Sequence, residues 1–189
     1  MPRPPILKPV DWPTLWTFAS GFEDWLDAAE SPEQVLAIND ALAAQELEPQ
    51  QAATVQNLSR LVRVVAFAED WCGDVVRHVP VLQALADASG MIHVRYVTRE
   101  QHPDVFARFL TNGGEAVPKF IFLSEQYGEC GSWGPRPARC RELVARGKAC
   151  GDVPAARKKV AALYAADPDK QDVVRELIAL AETAAAVAP

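Results

Sequence analysis

The pattern of apolar and polar positions changes at about residue 61. Before that point apolar side chains recur at spacings of three and four, which is typical of amphipathic helices. We predict one helix capped by Asp11 and continuous to Leu26, a second opened by Ser31 and Pro32, and a third opened by Pro49. The many aromatic side chains of the first helix follow the helical period, which favours packing against a core over a ligand site.

From residue 61 onward, short apolar runs rich in β-branched residues alternate with helical patterns. The predicted strands are 62–68, 91–97, 119–123 and a short segment ending near Trp133. The predicted helices are 72–88 with Pro80 inside it, 104–110, one that follows Pro137 and reaches Arg146, 153–164, and 168–187 with Asp167 as cap and Pro168 at its first position. This order predicts an α/β fold: a mixed four-stranded sheet flanked by helices, with additional N-terminal and C-terminal helices.

The same change of pattern suggests a division of the chain. We predict an N-terminal helical extension over 1–60, a core over 61–147, and C-terminal helices over 148–189 that pack on the same domain. At 189 residues and 49% hydrophobic content, the chain is long enough to bury one core without disulfides.

Composition bears on location and on cofactors. The sequence has neither the apolar core of a signal peptide nor an apolar run long enough to span a bilayer, so we expect a cytoplasmic protein with no membrane partner. Its four cysteines are too few and too uneven for a secreted disulfide framework, and no pair has zinc-site spacing. We therefore expect reduced thiols and neither a metal nor a bound cofactor.

The net charge of −6 is unevenly distributed, since residues 1–60 hold 3 basic and 9 acidic side chains. Residues 136–159 instead collect basic side chains against only Glu142 and Asp152. Because no aromatic residue is interleaved with these charges, we interpret the segment as a solvated basic helix face and do not expect nucleic acid as a partner.

The motif Trp71-Cys72-Gly73-Asp74-Val75 follows the first predicted strand and opens a helix. A cysteine at this position lies against unpaired backbone N–H groups, which stabilise its thiolate, whereas the carboxylates of Glu69, Asp70 and Asp74 act against it. In a Cys-x-x-Cys pair the second thiol would resolve a mixed disulfide, but here Val75 occupies that position. Asp74 is either a charge complementing the helix dipole or a proton shuttle.

The remaining cysteines and the nearest histidine are weaker candidates. Cys140 shares helical spacing with apolar residues and is predicted to be a buried thiol. Cys130 or Cys150 would resolve Cys72 only if the fold brought their α-carbons within about 7 Å of it. His78 is expected to be a surface or partly buried residue rather than a catalytic base.

The motif, Pro80 eight residues after Cys72, and Val117-Pro118 before the third strand together resemble the thioredoxin-like family. Segments 68–74, 110–113 and 133–137 further resemble a bacterial subgroup with a helical N-terminal extension. The resemblance implies that Cys72 is the nucleophile, that Trp71 shields it, and that Pro118 is a cis-proline facing the sulfur. It also implies that the Val117 backbone binds an extended peptide or thiol substrate.

Two positions depart from the dithiol members of that family. Val75 replaces the resolving cysteine, and Ala66 stands where those members bury an aspartate that serves the second thiol. Both departures fit a monothiol protein. The predicted site is therefore Cys72 as catalytic residue, with substrate-binding positions at Trp71, Gly73, Asp74, Val75, Val117 and Pro118.

Three hypotheses about function stay open at this point. The first is a thiol-disulfide oxidoreductase in which an external thiol, such as glutathione or another small thiol, resolves mixed disulfides formed with Cys72. The second is a redox-inactive module that holds a protein partner in the groove beside Pro118. The third, peroxide reduction through Cys72, is a minor one because no arginine or threonine at fixed spacing supports it. The sequence leaves the oligomeric state open.

Overall fold

Four strands form one mixed sheet in the computed structural model, which describes residues 8–187. They are β1 (Val62–Phe67), β2 (Ile92–Val97), β3 (Lys119–Leu123) and β4 (Glu129–Trp133), in the spatial order β2-β1-β3-β4. Strands β1 and β2 are parallel, and the other two pairs are antiparallel. Central strand β1 is buried at almost every position, which explains its continuous apolar sequence.

Helices cover the sheet, and further helices precede and follow its strands in the chain. They are α1 (Trp12–Phe18), α2 (Phe22–Asp27), α3 (Pro32–Ala43), α4 (Pro49–Gln56), α5 (Gly73–Ala88), α6 (Pro103–Phe106, continued by a 3-10 turn Ala107–Phe109), α7 (Ala138–Ala149), α8 (Val153–Ala166) and α9 (Gln171–Ala186). The predicted α/β class with a mixed four-stranded sheet and additional terminal helices is confirmed. The domain bounds stay a prediction.

The predicted first helix is in fact two helices. Between them Ser20 exchanges backbone hydrogen bonds with Tyr96 of β2, donating at 3.0 Å and accepting at 2.9 Å. This pairing requires extended backbone, and Ala19 accordingly has ψ 144°. The prediction of packing is confirmed, because Trp12 is buried and Trp25 stacks on the Tyr96 ring with 4.9 Å between ring centroids.

Two other helices begin or end differently from the prediction. Helix α6 is a single turn continued in 3-10 form to Phe109 instead of a helix over 104–110. The last helix begins at Gln171, so Pro168 is not its first residue. Asp167 lies before the helix begins, yet its carboxylate caps the helix. It accepts hydrogen bonds from the N–H groups of Gln171 at 2.8 Å and Asp172 at 3.0 Å.

Helix α9 packs across one face of the sheet. Its apolar residues Val173, Val174, Leu177, Ala181 and Ala184 are all buried. Its neighbours include β4, β3 and α5, so this helix closes the core on the side of the sheet that carries α5. Across residues 8–187 we find no helix that is both long and apolar enough to cross a membrane.

Candidate functional site

Cys72 occupies the N-cap position of the 16-residue helix α5. Its N–H donates to the Glu69 carbonyl at 3.1 Å, and its own carbonyl accepts from Val75 and Val76 at 2.9 and 3.1 Å. Its side chain forms no capping hydrogen bond, and the residue is partly exposed. The thiol therefore lies beside the N–H groups of the first helical turn but forms no hydrogen bond with them.

The thiol meets the chain segment that precedes β3. The Sγ atom of Cys72 donates to the Val117 carbonyl oxygen at 3.5 Å. The Val117–Pro118 peptide bond is cis, as the resemblance implied, and Val117 is buried. The structure thus brings Cys72 and Val117-Pro118 together although 45 residues separate Cys72 from Val117.

Trp71 lies on the surface beside this contact. Its side chain is 59% exposed, and the Arg99 guanidinium lies 5.6 Å from its ring centroid. A cation at that distance from an indole face is attracted by the ring quadrupole. The indole thus borders the site with one face toward Arg99 and much of its surface open to solvent.

Two of the carboxylates expected to oppose the thiolate are held by other groups. Glu69 accepts from the backbone N–H of Arg99 at 2.9 Å and from its Nε at 3.3 Å. Asp70 accepts from the N–H groups of Glu30, Ser31 and Trp71 at 2.8, 3.2 and 2.9 Å. Each negative charge is therefore offset locally, and Asp70 ties the motif to the start of α3.

Asp74 contacts two residues from the C-terminal half of the chain. Its carboxylate lies 2.5 Å from the Arg136 guanidinium and accepts from the Tyr164 hydroxyl at 3.2 Å. Burial raises the pKa of the Asp74 carboxyl above its ordinary value, although Arg136 and Tyr164 both act in the opposite direction. Asp74 is thus a partly buried, ion-paired residue instead of a free charge at the helix start.

His78 extends this arrangement into the core. It is fully buried, so the expectation of a surface or partly buried histidine is wrong. Its Nε2 lies 3.2 Å from the Tyr164 hydroxyl, and its ring meets Trp133 edge-on. Burial, followed by the charges of Arg77 and two other basic residues, lowers the pKa of His78 well below its usual value, which keeps the ring neutral.

These residues form a connected group, which we call the α5 polar cluster: His78, Tyr164, Asp74 and Arg136. Asp74 is a candidate from the sequence, but its hydrogen bond from Tyr164 was not predicted. Tyr164 lies 90 residues away on α8. Nothing in the local pattern marks that tyrosine, because α8 is an ordinary helix in which Tyr164 could equally have been a packing residue.

The comparisons with known proteins agree with the observed fold. A family model described as thioredoxin matches residues 21–153, which is more than half of the chain. The chain belongs to the thioredoxin family. No curated protein matches the sequence of this thioredoxin-family chain.

Two solved structures resemble this thioredoxin-family protein. One is a protein of unknown function from Pseudomonas aeruginosa, with a TM-score of 0.71, 17% identity, and coverage of 92% of this chain and 98% of that one. The other is an HIV epitope scaffold, with a TM-score of 0.70, 16% identity and the same two coverages. At such identities the likeness shows the shared fold alone.

Apolar residues stand at two positions of this thioredoxin-family site: Val75 in place of a resolving cysteine and Ala66 in place of a buried aspartate. Val75 and Ala66 are both fully buried. All four cysteines are free. Cys140 is 3% exposed, which confirms the prediction of a buried thiol, and its burial raises its pKa. Cys130 is partly exposed and Cys150 is exposed, and neither forms a disulfide with Cys72.

Two arginines of the basic segment 136–159 contact other elements of the domain and are less exposed than predicted. Arg136 pairs with Asp74, and Arg141 lies 4.0 Å from Glu176 of α9. These two arginines are only about a third exposed, so the interpretation as a solvated face is wrong for them. Arg146 pairs with Glu142 at the surface. Within residues 8–187, no group of three or more histidine, cysteine or carboxylate side chains is arranged to hold a metal ion.

Proposed function

We propose that this thioredoxin-family protein exchanges thiols and disulfides through the single thiol of Cys72. The observation that carries the proposal is the position of Cys72, a partly exposed residue at the N-terminus of α5 whose Sγ lies 3.5 Å from the Val117 carbonyl oxygen. A thiolate there accepts hydrogen bonds from the first-turn N–H groups, which the Cys72 side chain leaves free as a thiol.

The charges around the sulfur support this role. Glu69 is paired with Arg99, Asp70 accepts three backbone N–H groups, and Asp74 is paired with Arg136. Because each carboxylate is offset by its own partners, none of the three lies unpaired at the start of α5. The extended segment at Val117 offers a backbone edge against which a substrate chain can lie.

The proposed exchange has two balanced steps. The Cys72 thiolate attacks one sulfur of a substrate disulfide, so that an S–S bond to Cys72 forms, the substrate S–S bond breaks, and the second substrate sulfur leaves as a thiolate. An external small thiol, as thiolate, then attacks the sulfur of the substrate half. This releases the Cys72 thiolate and yields a disulfide between the small thiol and that half. Val75 makes the external thiol necessary, since it cannot resolve the intermediate.

The decisive experiment measures reduction of a glutathionylated peptide in the presence of excess glutathione. We expect the wild type to accelerate the reaction over glutathione alone and Cys72→Ser to lose that acceleration. Cys150→Ser is the matched control, because it removes an exposed thiol outside the site. Activity retained in Cys72→Ser, or a wild type no faster than glutathione alone, would overturn the proposal.

A second measurement tests the thiol itself. Two variants, each keeping only Cys72 or only Cys150 and carrying serine at the other three cysteines, are alkylated with iodoacetamide at pH 7 and followed by intact mass. We expect Cys72 to react at least about tenfold faster than Cys150, as a thiol at a helix N-terminus does. Equal rates would count against a reactive Cys72.

A redox-inactive module that holds a protein partner is the second candidate function. The feature that favours it is the exposed Trp71 indole, which borders a cavity of about 310 Å³ between α2 and the motif. Large exposed aromatic side chains are common anchors in protein interfaces. Slow alkylation of Cys72, combined with a partner that binds Cys72→Ser normally and Trp71→Ala weakly, would favour this candidate.

A further inference from the structure

Lys119 is a buried cation without a carboxylate partner. It is the first residue of β3, directly after Pro118, and is 5% exposed. Its Nζ donates to the Thr111 hydroxyl at 2.7 Å and to the Gly134 carbonyl at 2.9 Å. Both acceptors are neutral, and among residues 8–187 no carboxylate lies within 4.0 Å of the ammonium.

Burial of this charge is costly. An ammonium has three N–H donors, and the two hydrogen bonds just described leave one for another acceptor. Burial, with a smaller contribution from the Arg141 charge, lowers the pKa of Lys119 to about 8. Buried charges in proteins are ordinarily paired, so a lysine in this position calls for a counter-charge.

A second cation faces the same space. Lys119 and Arg141 both line a cavity of about 330 Å³, together with Thr111, Asn112 and Ser132. The Nη1 of Arg141 donates to the Arg136 carbonyl at 2.7 Å and is 4.0 Å from Glu176. A guanidinium has five N–H donors, so Arg141 keeps others available.

One carboxylate also borders the cavity. Glu142 lines it, but its side chain is 59% exposed and is paired with Arg146. The charge that lies inside the cavity wall is therefore positive, while the negative one is at the rim and already has a partner.

Two loop segments contribute to this wall beside the strands and α7. Thr111 belongs to 110–113 and Gly134 to 133–137. Gly134 has φ +113°, and a Cβ there would lie 2.1 Å from the Pro118 carbonyl oxygen. Only glycine permits this close approach, which fixes the Gly134 carbonyl against Lys119.

We propose that this cavity binds a small oxyanion, a phosphate or a carboxylate, between the Lys119 ammonium and the Arg141 guanidinium. Oxyanions supply several acceptor atoms at once, and charge-assisted hydrogen bonds from lysine and arginine to them are short and strong. The hydroxyl of Ser132 and the amide of Asn112 in the cavity wall are further donors for the remaining oxygens. The site is independent of whether Cys72 is reactive.

Calorimetric titration of the full-length protein with potassium phosphate and, separately, with potassium succinate tests the proposal. Potassium chloride keeps the ionic strength constant in both titrations. We expect saturable binding of one ion per chain for at least one of the two probes. Tighter binding of phosphate or of succinate then assigns the site to phosphoryl or carboxylate ligands.

Three variants locate the binding. Lys119→Met and Arg141→Gln are each expected to weaken it at least about tenfold, as loss of a hydrogen bond to a charged group does. Lys170→Met is the matched control, because Lys170 is a partly buried lysine that donates at 3.0 Å to Gln45 outside the cavity. It should bind like the wild type.

Circular dichroism first establishes that each variant folds. If Lys119→Met does not fold, the titrations of Arg141→Gln and of the wild type test the proposal. Absence of saturable binding of both probes to the wild type would overturn the proposal. So would unchanged affinity in the folded Lys119→Met and Arg141→Gln variants, which would place the ion elsewhere.

Discussion

Two of the places in which the domain buries polar groups differ in charge balance. In the α5 polar cluster the Asp74 carboxylate is matched by the Arg136 guanidinium, and the Tyr164 hydroxyl joins that carboxylate to a neutral His78. In the cavity beside β3 the charged Lys119 has only neutral partners. The charges of the first group are balanced within the chain, whereas the second lacks a counter-charge.

This contrast separates two uses of buried polarity. A charge-balanced group positions the elements that carry it, here α5, α8 and the segment before α7. An unmatched buried cation has no ion-pair partner within the chain, so a bound anion would gain a favourable electrostatic interaction with it. The same thioredoxin fold therefore holds one polar group that orients its own chain and another that awaits an anion.

The largest expected effect comes from filling the space at Gly134. We expect Gly134→Ala to lower the free energy of unfolding by about 3 kcal/mol, since the new Cβ would meet the Pro118 carbonyl at φ +113°. Gly90→Ala is the control, because its Cβ would meet nothing within 4 Å, and it should cost less than about 1 kcal/mol. Urea unfolding measures both. Equal, small effects would mean that the cavity wall is not rigid.

Breaking the ion pair of the α5 polar cluster comes next. Asp74→Ala leaves Arg136 without its carboxylate and is expected to cost about 2 kcal/mol. Asp172→Ala breaks a more exposed pair with Arg175 and should cost less than about 1 kcal/mol. Urea midpoints of the two variants give the comparison. If both cost the same, the pairing of Asp74 with Arg136 contributes no more than an exposed ion pair does.

A smaller effect is expected from removing one hydroxyl. Tyr164→Phe deletes the atom that contacts both His78 and Asp74 and should cost about 1 kcal/mol. Tyr127→Phe is the matched control, since Tyr127 contacts Arg63 through its ring, and we expect almost no change. Thermal unfolding at pH 7 resolves the two. A neutral Tyr164→Phe would show that the cluster is held by the ion pair alone.

The smallest effect at neutral pH is expected for Lys119→Met. Loss of two hydrogen bonds is offset by removal of an unmatched buried charge, so stability should stay within about 1 kcal/mol of wild type. This outcome would contrast directly with Asp74→Ala.

The pH dependence sharpens that comparison. Because the folded pKa of Lys119 is about 8 and the ordinary pKa of a lysine is 10.5, the folded state releases the proton first as pH rises. Wild-type stability should therefore gain a contribution between about pH 8 and pH 10.5 that Lys119→Met lacks. Urea midpoints of both proteins at pH 7 and pH 10 measure it. An equal change in both would show that Lys119 titrates normally.

Much of the fold follows from local sequence. The bounds of β3 were predicted correctly because its apolar residues are buried throughout and bounded by turn signals. The break between α1 and α2 was missed because it depends on pairing of Ser20 with Tyr96, 76 positions further along the printed sequence. No local propensity encodes a partner at that distance.

The candidate site divides in the same way. Cys72 and Val117-Pro118 were recognisable from spacing and from resemblance to a family, and the structure places them in contact. Lys119 was overlooked because a lysine at the start of a strand is ordinarily solvated. Its burial follows from Thr111 and Gly134, which reach it from two other loops.

The hydrogen bonds between Ser20 and Tyr96 also have a consequence for self-association. Strand β2 lies at one margin of the sheet, where a row of free N–H and C=O groups would otherwise invite strands from neighbouring molecules. By occupying Tyr96 on that margin, the segment between α1 and α2 interrupts the row and protects the folded chain from edge-to-edge aggregation.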